Sequence, residues 1–187
     1  DNFATWYAFA RTRILALKTA SGIAFEAVRE SRRVGFNTLN TFAAYFRNVQ
    51  DFTPANKSAW FTTLYSVPPT GGVTPSIDAL WRVGEYFSNR GAAAGLPGAT
   101  DPLDRDTGKC QQNYHLLATD GYWQQNVIAR AGIGNQDGVK VPNLPHLPGN
   151  TGFKPGDDFP LPYREGAGAN STSNTMADVA MYYWIND

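Results

Sequence analysis

The chain has 187 residues, 42% of them hydrophobic, and its 16 basic side chains balance 16 acidic ones. That length fits one domain, or one domain with a long insertion, and the balance makes the chain a poor candidate for binding a nucleic-acid backbone, which needs a clustered basic excess. No apolar run approaches the roughly 20 residues that span a bilayer, and the single Cys110 excludes both an internal disulfide framework and a cysteine-rich zinc site. The chain opens on Asp1 without a signal-peptide pattern, so it reads as a mature or excised piece.

Phe3, Trp6, Tyr7, Ala10, Ile14, Leu17 and Val28 recur at three- and four-residue steps and predict one long helix over 3–32. Asp1 or Asn2 would cap it, and Gly22 would mark close packing against a neighbour. Val34, Phe36 and Thr38 predict a strand. A second is expected over 43–52, with Tyr45, Phe46, Val49 and Phe52. Thr53-Pro54 stops it, and 56–67 reads as a helix carrying Trp60, Phe61, Leu64 and Tyr65. After a Pro- and Gly-rich loop, Thr74 suits an N-cap and Pro75 the first helical position. The helix over 75–89 would turn Ile77, Leu80, Trp81, Gly84 and Phe87 inward. Residues 90–109 read as loop, and 114–118 as a buried strand ended by Thr119-Asp120-Gly121. A loop-rich excursion over 124–172 follows, since 131–170 alone hold eight Gly and six Pro; connections of that length are usually functional. A short helix over 174–184, with Met176, Val179, Ala180 and Tyr183, closes the chain.

Helices alternating with strands predict an α/β fold with a mostly parallel sheet, whose ligands sit beyond the carboxyl ends of the strands. Thr74 and Asp120 both fall there. A hydroxyl and a carboxylate are oxygen donors of the kind Mg²⁺ or Ca²⁺ takes, although a divalent shell needs more than these two. Read by themselves, Thr74 is equally a helix cap and Asp120 the start of a turn. Asp101, Asp104 and Asp106 before Gly108 loosely follow a calcium loop, but without its final Glu they read as a solvated turn. Asn135-Gln136-Asp137-Gly138 and Asp157-Asp158 also read as turns. His115 and His146 have no partners at zinc-ligand spacing. Neither a Gly-x-Ser-x-Gly elbow nor a phosphate-binding glycine loop occurs, so nothing positive points to an enzyme. Tyr122-Trp123 and Tyr182-Tyr183-Trp184 are candidate interface anchors or packing residues.

Strings spread along the chain add a resemblance. They are Asn2-Phe3-Ala4-Thr5-Trp6-Tyr7, Arg11-Thr12-Arg13 with Lys18, Arg33-Val34-Gly35-Phe36, Cys110-Gln111-Gln112-Asn113-Tyr114, Thr119-Asp120-Gly121-Tyr122-Trp123, and Asp178-Val179-Ala180-Met181-Tyr182-Tyr183-Trp184. Their order is similar to the N-terminal region of the PilC/PilY family of type IV pilus tip adhesins. Gly-Gly-x-Thr-Pro opening a helix, followed by Leu-Leu-x-Thr-Asp-Gly, resembles the von Willebrand factor type A domain.

The resemblance implies that 1–187 is an incomplete type A-like domain with 124–172 as an insertion. It also implies a metal-ion-dependent adhesion site in which Thr74 and Asp120 are the second and third parts. The first part, Asp-x-Ser-x-Ser, is absent from the 187 residues, as is the family's β-propeller, so the chain would be the back portion of the adhesion domain. The missing strand would lie mid-sheet, and an isolated polypeptide of this span is expected to be unstable. The implied role is non-enzymatic adhesion and pilus biogenesis, extracellular at the pilus tip or associated with the outer membrane. Minor pilins and host or abiotic surfaces would be the partners, with Tyr122 and Trp123 as contacts and Cys110 pairing with an upstream cysteine. The alternative is a metal-free interaction domain that docks onto minor pilins.

Overall fold

The computed structural model describes residues 1–69, 72–103, 111–119, 121, 133–137 and 172–185. Among them the elements run α1 (Asn2–Ala10), α2 (Arg13–Glu26), β1 (Arg33–Phe36), α3 (Phe42–Tyr45), β2 (Arg47–Asp51), α4 (Pro54–Ser66), α5 (Ser76–Phe87) and α6 (Met176–Ile185). The fold mixes helix and strand, as the alternating pattern predicts. Among the described residues, however, the sheet is one antiparallel pair, with Arg33 opposite Asp51, Val34 opposite Gln50 and Phe36 opposite Arg47. The connection from Phe36 to Arg47 is shorter than the crossover of a dozen or more residues that a parallel neighbour needs. Part of it, Phe42–Tyr45, is a helical turn rather than the strand expected there. The register breaks between Val34 and Phe36. Glycine is required at position 35, because a Cβ would stand 2.9 Å from Val49 Cγ2 and 3.0 Å from the Arg47 carbonyl oxygen.

The predicted long first helix is two helices. Thr12 adopts an extended conformation and its hydroxyl accepts from the Leu15 N–H at 3.3 Å, so it caps α2 instead of continuing α1. Arg11 closes α1 by donating to the Tyr7 carbonyl at 2.9 Å while lying 4.8 Å above the Tyr7 ring. α2 stops at Glu26 rather than near residue 32. Lys57 reaches over from α4 and donates to the Glu26 carbonyl at 2.5 Å and to the Val28 carbonyl at 3.2 Å. Gly22 is buried where α2 meets α4, and a Cβ there would overlap the Tyr65 hydroxyl, as its reading as a close-packing position requires.

α4 begins as its sequence dictates. Pro54 takes the first turn, and Thr53 accepts from the Asn56 N–H at 3.3 Å. Trp60 is the hub of the first core, which joins Phe52, Trp60 and Leu64 with Phe25, Val28, Val34, Phe36 and Phe61. Phe25 stacks on its indole at 4.5 Å, and Phe36 and Phe61 meet it edge-on at 5.6 and 5.3 Å. Its Nε1–H donates to the Gly35 carbonyl at 3.1 Å, so one side chain ties α4 to both α2 and β1.

The second core joins Ile77 of α5, Ile133 and Val179 of α6. α6 starts on a reciprocal capping box: the Asp178 N–H donates to Thr175 Oγ1 at 3.2 Å and the Thr175 N–H to Asp178 Oδ2 at 3.0 Å. The buried Asp178 also accepts from the Gln136 N–H at 2.6 Å. Asn174 and Gly134 exchange two bonds, Asn174 N–H to the Gly134 carbonyl at 3.0 Å and Gly134 N–H to Asn174 Oδ1 at 3.2 Å. Residues 133–137 are thus stapled to the start of α6. Of the 124–172 excursion, only 133–137 and 172 belong to the described residues.

Candidate functional site

α5 positions the candidate site, and it has two working faces. Ile77, Leu80 and Trp81 face the second core, and Gly84 lets the Tyr183 ring lie directly on the helix backbone. That is the face the spacing predicts. Reading one apolar stripe misses the other, where Arg82 and Tyr86 are buried. Tyr86 packs edge-on against Phe46 at 5.3 Å. Its hydroxyl accepts from the Val49 N–H at 2.8 Å and donates to Asn48 Oδ1 at 3.1 Å, so it braces β2. Burial pushes its pKa up and keeps it protonated. Arg82 donates from Nη2 to the Leu39 carbonyl at 3.0 Å, and its guanidinium lies 3.7 Å over the Phe42 ring. Burial lowers its pKa, but a guanidinium stays charged throughout the physiological range.

These contacts hold the segment leaving the carboxyl end of β1 against the loop that enters α5. Asn40 donates from Nδ2 to the Val73 carbonyl at 3.3 Å, and a Cβ on Gly72 would come within 2.5 Å of that same nitrogen. The residue before Thr74 is thus tied to Asn40, in the segment that follows β1. The helix starts one residue later than the sequence suggests, at Ser76, because Pro75 (φ −82°, ψ 65°) takes the cap position without a side-chain cap bond. The Thr74 carbonyl accepts from the Ser76 N–H at 2.9 Å, and the Thr74 hydroxyl does not serve as the cap. Ser76 is 0% exposed, and among the described residues its Oγ has no hydrogen-bond partner; nor has Arg82 Nε. Neither side chain stood out in the sequence. A serine next to a cap-forming Thr-Pro and an arginine between apolar positions carry no periodic signal.

Asp120, Tyr122, Trp123 and Cys110 lie outside the described residues, as do His146, Asp104, Asp106, Asp157 and Asp158. Of the candidate pair, Thr74 is among the described residues. The segment preceding Asp120 differs from its expected form. Residues 111–119 carry no strand pairing, and Tyr114 and Leu116 are 82% and 77% exposed instead of buried. His115 is exposed with them. Asp101 accepts from the Leu103 N–H at 3.0 Å and Asn135 from the Asp137 N–H at 2.7 Å, both turn bonds, in keeping with their reading as turns. Among the described residues no group of three or more His, Cys, Asp or Glu could hold a metal ion. No helix among them is long and apolar enough to cross a membrane.

A second polar cluster joins α5 to α6. Arg90 grips Glu85 with two bonds, Nε to Oε2 at 2.9 Å and Nη2 to Oε1 at 2.7 Å, and the Tyr183 hydroxyl donates to Oε1 at 2.5 Å. Arg90 hydrogen bonding pulls the Glu85 carboxyl below its usual range, against the opposing effect of burial. Burial and the Glu85 contact push the Tyr183 phenol well up. A carboxylate satisfied on three sides is a fastener between helices, not a free acid or base.

No protein-family model matches the chain, and no solved structure matches it. Curated relatives do. The type IV pilus biogenesis factor PilY1 of Pseudomonas aeruginosa strain PAK is 32% identical over 198 residues, covering all of this chain and 15% of that protein. The PilY1 proteins of strains UCBPP-PA14 and PAO1 are 33% and 31% identical over 194 and 202 residues, again with the whole chain matched against 15% and 16% of their lengths. The match runs from the aromatic string of α1 to the Tyr-Tyr-Trp string of α6, so that, while spanning only about 15% of the length of these relatives, the chain is a PilY1-type segment.

Proposed function

We propose that the chain is a non-enzymatic module of a type IV pilus system that serves pilus biogenesis and adhesion. The observation carrying this reading is the end-to-end match with proteins named as type IV pilus biogenesis factors. The proposed setting is extracellular, at the pilus tip, with minor pilins and host or abiotic surfaces as partners and Tyr122 and Trp123 among the contacts. In this reading β1 and β2 belong to a larger, type A-like sheet, and residues 111–119 and polypeptide outside the 187 residues supply further strands.

A divalent ion, Mg²⁺ or Ca²⁺, is the cofactor the reading would take. Thr74 and Asp120 offer a hydroxyl and a carboxylate oxygen, and the orphaned, buried Ser76 Oγ beside Thr74 supports a ligand at this helix end. The fit is partial. Two donors fall well short of the six or more oxygens such ions take, and the partial positive charge of the helix amino terminus opposes a cation. The remaining carboxylates would have to come from outside these residues.

Two experiments test the proposal in the full-length protein. Deleting the segment is expected to abolish surface piliation; normal piliation would overturn the pilus role. Asp120→Ala is expected to abolish a Ca²⁺- or Mg²⁺-dependent thermal shift and to lower bound metal by elemental analysis. An unchanged shift removes the metal, and chelator-resistant binding to minor pilins would favour the metal-free docking reading.

A further inference from the structure

We draw no further inference here: the strongest candidate, the exposed aromatic face that Phe3, Trp6, Tyr7 and Phe9 present on α1, carries nothing because nothing in the structure shows what covers it.

Discussion

Lys18 and Lys57 cap each other's helices. Lys18, on α2, donates to the Tyr65 carbonyl at 2.9 Å and to the Val67 carbonyl at the end of α4. Lys57, on α4, donates to the Glu26 and Val28 carbonyls at the end of α2. The two helices thus run antiparallel, and each places a cation on the negative end of the other's dipole. Lys18 is buried, and burial pulls its pKa down; its ammonium is tolerated there because the orphan carbonyls receive its protons.

Lys18→Met should therefore destabilise the fold by about 1.5–3 kcal/mol, the range for bonds made by a charged donor. Lys57→Met, at a less buried position, should cost less. Urea denaturation of both variants checks the order, and equal midpoints would show that the exchange is incidental.

Gly84→Ala should also destabilise, by about 1–3 kcal/mol, since the added methyl overlaps the Tyr183 ring. The sign is the informative part. At an ordinary helical position the same change stabilises by up to about 1 kcal/mol. Thermal melts decide it, and restoration by a second change, Tyr183→Leu, would locate the clash.

The Glu85 cluster predicts a pH response at the α5–α6 contact. Hydrogen bonding from Arg90 lowers the Glu85 carboxyl, so its stabilising contribution is present above the unfolded-state pKa and is lost as pH falls through the lower folded value. The Tyr183 phenol is raised, so its contribution is complete below its unfolded pKa and is lost only as pH rises through the folded one. Melts followed from pH 7 downward should show a loss below about pH 4 that Glu85→Gln flattens. An acid limb identical in the variant would assign the loss to other carboxylates.

Arg82→Lys should loosen the segment from Leu39 to Phe42 while leaving the first core intact. Lysine keeps the charge but forfeits the planar stack on Phe42 and the directed bond to Leu39. Amide hydrogen exchange should speed up at 37–45 and stay unchanged around Trp60. A uniform increase would instead mean global destabilisation.

Local signals with a single physical cause were readable in the sequence. Thr53-Pro54, read as the stop of the preceding strand, lies where α4 begins, and Gly22 marks where Tyr65 comes close. What escaped was decided by competition between local and distant partners. The apolar period runs past Thr12 as if one helix continued, yet the Thr12 hydroxyl gains more by capping Leu15. Residues 43–45 have apolar content for a strand but form a turn of helix, because the chain must reverse before β2. Arg82 carries no signal in the sequence; its partners, the Leu39 carbonyl and the Phe42 ring, come from a distant segment. For the candidate site, the sequence led to Thr74 at the mouth of α5, whereas the unpartnered Ser76 needed coordinates.

The double bond exchange between Gly134 and Asn174 joins two backbone points that lie 40 residues apart in sequence. A pinch of this kind, together with the Gln136 bond to Asp178, fixes the two ends of the stretch between 137 and 174. Residues could be gained or lost between the two points without altering how α6 meets α5, because closing a longer loop costs only about 0.6 kcal/mol for each doubling of its length. Evolution could therefore rewrite the enclosed stretch while leaving the hinge-free base unchanged.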